Sequence, residues 1–462
     1  MGGAERTYLS QNDAIMWAVE ADPLLRSTIV GVVLLDRPPD WQHLVQRVEQ
    51  TTHRVPELRE KVVSIPLRPN ALRWVVEPDV DLDYHLRRVT APAPGGAREV
   101  LDLARTFAAG GFDRSRPLWE FTLIEGLAEG GAAFVMKAHH VVTDGIGAVQ
   151  LAAHLFDFDP EAPITSPRPA DEASHARRPP STADLVRELV VHDVEGIIGL
   201  ARTTLPSVVP TLFKLVRDPF HAVAETIHTA ASVGRTIAPV TDTMSPVMVD
   251  RHQASRFEHL DVPLAALRDA AKAAGGTVND AFLAGITGGL RRYHDAMGAE
   301  VEELRVAMPV SIRSEDDDIG GNHVSVMRFK VPVGVDEPDE RIRRLHEVGR
   351  HIRAEKSLEH TEAIAGFLNM MPRGVIGAML KHMDFLASNV PGVPVPMWLC
   401  GAPVRRFFPF GPTAGSSVNV TLMSYDGNAC MGVNIDTAAI PDTELFMDCL
   451  REGFDEVVAL AV

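Results

Sequence analysis

Residues 118–127 (LWEFTLIEGL) and 132–142 (AAFVMKAHHVV) are two apolar runs joined through Gly130-Gly131. They read as two strands of a hairpin, both buried. The second strand runs out into His139-His140-Val141-Val142-Thr143-Asp144-Gly145. Neighbouring side chains on a strand point to opposite faces, so His139 and His140 cannot both face one channel. One is expected to hydrogen-bond inside its domain while the other meets a ligand. The same geometry weakens a metal reading, because adjacent strand residues make poor joint ligands for one ion. A neutral imidazole is the side chain best suited to take a proton near neutral pH. Asp144 could fix the local backbone, and Gly145 permits a turn that other residues resist. The combination points to a base at the mouth of a channel, lifting a proton from a hydroxyl or amine. The plainer reading is two histidines and a cap residue at a strand end.

The rest of the chain supplies the frame. Residues 27–36 read as a buried strand, and 40–53 as a helix with Trp41, Leu44, Val45 and Val48 at helical spacing. A helix is expected over 146–156. Residues 160–180 are rich in Pro, Ser and charge and read as a linker or exposed loop. Residues 182–236 then give amphipathic helical patterns broken by Pro206, Pro210 and Pro219; apolar Leu205–Val216 is either packed on the core or a surface for lipid. Helices are expected at 263–273, at 278–296 starting near Thr277, and at 442–460. Strands are expected at 304–311, 323–333, 417–425 and 429–436, the last pair flanking the turn signal Asp426-Gly427-Asn428. Ser388-Asn389 and Pro391-Gly392 read as a rigid turn. With 462 residues there is chain enough for two domains with sizeable cores. The expected division is 1–160, a linker and helical crossover over 161–256, and 257–462, as two mixed α/β halves.

Composition removes several classes of function. The formal charge is −17, from 45 basic and 62 acidic side chains, which argues against nucleic acid as a partner. An anionic ligand would need a local basic patch; the arginine pairs Arg291-Arg292, Arg343-Arg344 and Arg405-Arg406 are candidate positions, and none is assigned to one. Cys400, Cys430 and Cys449 lack metal-ligand spacing, and their odd number fits a reducing compartment better than a disulfide framework. No apolar run is long enough for a membrane span. Neither a secretory leader nor a myristoylation motif is expected from the first residues.

Taken in order, several stretches carry a family resemblance. They are Leu9-Ser10-Gln11-Asn12-Asp13-Ala14, Pro117-Leu118-Trp119 within 113–120, the HHxxxDG stretch, Asn279-Asp280, Ser388-Asn389-Val390-Pro391-Gly392, Pro409-Phe410-Gly411-Pro412 and the closing 417–436. With these the chain resembles the bacterial wax ester synthase/diacylglycerol acyltransferase family, within the CoA-dependent acyltransferase superfamily. HHxxxDG is shared across that superfamily; the ordered set is specific, and the resemblance spans nearly the whole chain, least over 236–256.

The resemblance implies two chloramphenicol-acetyltransferase-like domains, each a mixed β-sheet with helices, and an active-site channel between them. It implies His140 as general base, His139 as mainly structural, and Asp144 holding the loop, with Arg313 its candidate partner. Gly145 would turn the backbone beside the channel. Asn279 and Asp280 would support the channel from the second half, unless they are simply polar caps at a helix start. Pro117-Leu118-Trp119 is expected to pack rather than react. The implied substrates are acyl-CoA and either diacylglycerol or a long-chain alcohol, with no metal or redox cofactor. The implied location is cytoplasmic, in peripheral contact with a membrane or lipid inclusion. Two rivals remain: another branch of the superfamily using a carrier-bound acyl donor, and a catalytically silent lipid-binding protein.

Overall fold

The computed structural model describes residues 8–65, 68–142, 151–159, 242–311, 324–353 and 381–461. The expected linker over 160–180, the helices of 182–236, residues 146–150 of the helix expected over 146–156, and Thr143, Asp144, Gly145 and Arg313 lie outside those residues. In chain order the strands are β1 (Thr28–Leu35), β2 (Glu60–Ile65), β3 (Arg68–Val76), β4 (Leu86–Thr90), β5 (Trp119–Glu125), β6 (Ala132–His139), β7 (Ser255–Pro263), β8 (Glu303–Ser311), β9 (Val324–Pro332), β10 (Phe385–Val393), β11 (Trp398–Leu399), β12 (Ala402–Phe410), β13 (Val418–Tyr425) and β14 (Asn428–Asp436). The helices are α1 (Gln11–Val19), α2 (Trp41–Arg54), α3 (Leu82–His85), α4 (Ala97–Ala109), α5 (Leu264–Ala273), α6 (Val278–Ala296), α7 (Pro338–Arg353) and α8 (Thr443–Val458).

Two six-stranded sheets organise the molecule, in the orders β11-β12-β1-β6-β5-β4 and β7-β14-β13-β10-β8-β9, with β2 and β3 as a separate hairpin. Both sheets are mixed. In the first, β4 and β5 run parallel and the others antiparallel; in the second, β10 runs parallel to β13 and β8. Each sheet has its own apolar core, one including Val32, Trp119 and Phe134, the other including Phe282, Leu422 and Phe454.

Local chemistry accounts for the elements that matter to the site. Strands β5 and β6 are buried on both faces, which is why they read as continuous apolar runs rather than as alternating ones. Strands β13 and β14 are joined at Asp426 (φ 43°) and Gly427 (φ 76°), a two-residue turn with both central residues left-handed, as a tight hairpin requires. Helix α6 starts behind Thr277, whose hydroxyl accepts the Asp280 N–H while the Asp280 carboxylate accepts the Thr277 N–H. That reciprocal cap satisfies donors a helix start would otherwise leave open.

One reading of the sequence is corrected. Ser388-Asn389-Val390-Pro391-Gly392 is not a turn: it lies in β10, paired to β13 from Phe385↔Val418 to Val390↔Met423. The proline and glycine mark a bulge, where the register jumps to Val393↔Tyr425. Pro391 has no N–H to lose at such a break. A Cβ on Gly392 would lie 1.7 Å from the Ser424 carbonyl oxygen, so only glycine fits. The first sheet also draws strands from late in the chain. Strands β11 and β12 come from the second half but complete the first sheet, β12 pairing antiparallel with β1 from Val30↔Phe410 to Leu35↔Val404.

Candidate active site

Strand β6 ends at His139, and four hydrogen bonds fix the turn that follows. The His139 N–H donates to the Leu118 carbonyl (2.9 Å), the His140 N–H to the Ser27 carbonyl (2.8 Å), and the Val142 N–H to the His139 carbonyl (2.9 Å). The fourth joins backbone to side chain: the Val141 N–H donates to His139 Nδ1 at 3.1 Å. His139 is 1 % exposed, whereas His140 is only half-buried. His139 is thus enclosed in the domain, while His140, one residue past the end of β6, is more exposed.

His139 sits in an aromatic cage. The rings of Trp17 and Phe112 lie 5.8 and 5.9 Å from its own. Its Nε2 lies 3.2 Å from Glu20 Oε2, too oblique for a straight hydrogen bond. Arg114 donates to the same carboxylate oxygen at 2.8 Å while its guanidinium covers the Trp17 ring at 4.2 Å. Burial pushes the Glu20 carboxyl up, but His139 and Arg114 outweigh it and hold the group below the ordinary carboxylate value.

The second half brings two of the sequence motifs together. Asn389 of β10 donates from Nδ2 to Asn279 Oδ1 on the first turn of α6. Asp280 faces other work: besides capping α6 it accepts from or pairs with His346 Nδ1 of α7 at 2.8 Å, and it is 3 % exposed. Its contacts are those of a helix cap. Asp280→Ala is expected to lower stability by about 1–2 kcal/mol, read as a lower midpoint in thermal or urea unfolding.

The histidine turn and the asparagine pair are linked through the seam between the sheets. At the end of the first sheet that carries His139 and Thr28, β12 reaches Phe410 and leaves for β13. Buried side chains of the second sheet hold that passage: Asn419 Nδ2 donates to the Pro412 carbonyl (2.7 Å) and Asn434 Nδ2 to the Gly411 carbonyl (2.9 Å). The Gly411 N–H donates to Thr421 Oγ1 (3.3 Å), and Thr421 is in register with Ser388, next to Asn389. Further along, Tyr425 donates to the Val404 carbonyl at 3.0 Å. A Cβ on Gly432 would lie 2.0 Å from the Pro409 carbonyl oxygen, so β14 touches β12 backbone to backbone. On the outer side, β7 adds Phe257 stacked on Phe410, His259 against Phe408, and Asp261 paired with Arg406. The loop before β1, whose Ser27 holds His140, is clasped from the second half by an ion pair between Lys381 and Asp22. The histidine turn thus lies at the end of the first sheet from which β12 leaves for the second.

Trp119 is fully buried, donates from Nε1 to the Leu58 carbonyl (2.9 Å) and stacks on His85 at 4.4 Å, so it packs; the contribution of its motif to the site is the Leu118 carbonyl under His139. The three arginine pairs are engaged: Arg291 with Asp336, Arg292 with Glu456, Arg343 with Asp339, Arg344 with Glu340, Arg405 with Asp36 and Arg406 with Asp261. Burial pushes the thiols of Cys400 and Cys430 up to about 11, so neither is a ready nucleophile. Among the described residues no cluster of His, Cys, Asp or Glu is arranged to hold a metal ion, and no helix is long and apolar enough to cross a membrane. Glu20 and Arg114 were missed in the sequence; Glu20 has no motif around it, and Arg114 stands three residues before Pro117.

Two solved structures share this architecture. The wax ester synthase/diacylglycerol acyltransferase of Marinobacter aquaeolei aligns over 98% of this chain and 100% of its own, with TM-score 0.63 and 21% identity. The first condensation domain of the calcium-dependent antibiotic synthetase aligns over 99% and 97%, with TM-score 0.61 and 14% identity. These likenesses establish the fold, two condensation-like halves. In sequence, residues 9–282 match the wax ester synthase/diacylglycerol acyltransferase catalytic domain, and residues 320–457 match the C-terminal domain of the same family. A Mycobacterium tuberculosis protein provisionally named a diacylglycerol O-acyltransferase is 38% identical over 97% of this chain and 91% of its own. A second protein of that organism, with the same type of name, is 30% identical over 93% and 94%. The chain belongs to the wax ester synthase/diacylglycerol acyltransferase family and is an acyltransferase of that kind.

Proposed function

We propose that this enzyme moves a fatty acyl group from acyl-CoA to the hydroxyl of diacylglycerol, and also to long-chain alcohols, with His140 as the general base. The observation that supports this reading is that His140 is half-buried on a turn whose backbone is tied at four points. In the proposed step His140 takes the acceptor proton as the acceptor oxygen attacks the thioester carbonyl. The tetrahedral adduct collapses, and the CoA thiolate leaves and regains a proton from the imidazolium. Both substrates must meet one base, so donor and acceptor enter from different ends of the channel.

His139 serves as a structural neighbour. Asp144 and Gly145 would shape the loop beyond His140, with Arg313 as the partner of Asp144, following the family pattern. Asn279, held by Asn389, and Asp280 support the channel from the second half. No metal or redox cofactor enters the step. The acceptors are insoluble, so the enzyme is proposed to work at the cytoplasmic face of a membrane or lipid inclusion, in peripheral contact.

The test is CoA-thiol release from palmitoyl-CoA with diacylglycerol and hexadecanol offered in parallel, alongside an acyl group on a carrier protein. Release with either lipid acceptor is expected. Ester formation from the carrier-bound donor alone would replace this reading with the condensation-type one. Saturable lipid binding with no thiol release from any donor would leave only a lipid-binding protein.

A further inference from the structure

We propose that Glu20 is a positioning residue for acyl transfer: its carboxylate fixes the ring of His139 and, through that ring, the turn that presents His140. The inference rests on the proposed role of His140.

The carboxylate is placed for this. Glu20 follows the last turn of α1, and its side chain is 8% exposed. A buried carboxylate is costly unless it is engaged; Arg114 donates to this one, and His139 Nε2 lies 3.2 Å from the same oxygen. The two ring nitrogens of His139 then have different partners. Nε2 faces an acceptor that has no proton to give, and Nδ1 faces the Val141 N–H, a donor that cannot accept. The geometry assigns the neutral ring with its proton on Nε2. In the other tautomer an Nδ1–H would confront the Val141 N–H, and Nε2 would present a lone pair to a carboxylate. Both contacts would be repulsive.

The tautomer matters because the ring is part of the turn. Val141 follows His140 directly, so the bond from its N–H to Nδ1 fixes the backbone on one side of His140. The bond from the His140 N–H to Ser27 fixes the other. Trp17 and Phe112 enclose the ring and leave it little freedom to find a new orientation. Loss of the carboxylate would therefore pass to His140 as a displacement of its backbone. A base displaced by about 1 Å can lose on the order of 100-fold in rate.

The experiment compares Glu20→Leu, Glu20→Gln and His140→Ala in the palmitoyl-CoA assay, with thermal midpoints measured in parallel. Glu20→Leu is expected to lower kcat by about 10- to 100-fold, with KM for donor and acceptor changed little. Glu20→Gln keeps an oxygen beside Nε2 and is expected to recover most of that loss. Histidine-selective 15N spectra of the unmodified enzyme should show His139 protonated on Nε2. Protonation on Nδ1 would overturn the inference without any variant, which covers the case of Glu20→Leu failing to fold. A folded Glu20→Leu enzyme with normal kcat, beside an inactive His140→Ala enzyme, would overturn the role of Glu20 alone. A fully active His140→Ala enzyme would overturn the proposed role of His140 itself.

Discussion

His140→Ala is expected to lower acyl-transfer turnover by about 10²- to 10⁴-fold, the range that a positioned general base contributes. The fold should survive the change. His140 is half-buried, and the hydrogen bond from its N–H to Ser27 does not need the ring. The thermal midpoint should therefore stay within a few degrees. His139→Ala is expected to behave differently. It removes a buried ring from between Trp17 and Phe112 and leaves the Val141 N–H without its acceptor, so stability and turnover should fall together. The contrast between neighbouring histidines is the informative result. Equal loss of stability in both variants would place His140 in the packing, and normal CoA release from His140→Ala would end its candidacy as base.

Glu456→Ala should produce the largest loss of stability, about 3–5 kcal/mol, because it leaves a buried charge uncompensated. Arg341 of α7 is fully buried and donates to Glu456 Oε1 of α8 at 2.6 Å. Its other donors reach the carbonyls of Val335 (3.0 Å), Asp336 (2.8 Å) and Ala284 of α6 (3.1 Å). Arg292 of α6 pairs with the second oxygen of Glu456. One carboxylate thus pins three helices on the outer face of the second sheet. Burial pushes the Glu456 carboxyl up, but hydrogen bonds from Arg292 and Arg341 outweigh it, so its pKa lies below the ordinary 4.5. A depressed carboxyl contributes stability that is present above the unfolded value and lost as pH falls through the folded one. The gap between Glu456→Ala and the unmodified chain should be widest near neutral pH and close as pH falls below 4.5. Chemical unfolding at several pH values would measure it. A gap independent of pH would mean that packing, not charge, holds the helices.

Much of the frame was legible because it is local. Helix α6 announces itself through Thr277 and the Asp280 cap, and the β13–β14 hairpin through Asp426-Gly427. The buried hairpin that carries the histidines is equally plain, and with it the unequal fates of His139 and His140. What stayed hidden depends on partners far away in sequence. Pro391-Gly392 carries turn chemistry, and only the approach of Ser424 shows that the pair makes a bulge inside a strand. Nothing within Ala402–Phe410 says that it completes the sheet of the other half. Glu20 has no motif around it; its role exists only once α1 is folded against the end of β6.

The borrowed strand has a consequence during synthesis. Strand β1 can pair with β6 soon after it emerges, but its other edge waits for β12; the paired side chains Asp36 and Arg405 are 369 residues apart. At 5–20 residues per second, that edge stays open for roughly 20–75 s on the ribosome. A strand as apolar as Thr28–Leu35, half-paired for that long, is a template for pairing with the wrong chain. Until Ala402–Phe410 emerge, that edge of β1 is open to pairing with another chain. A chain truncated before residue 402 is therefore expected to aggregate rather than to fold as a half.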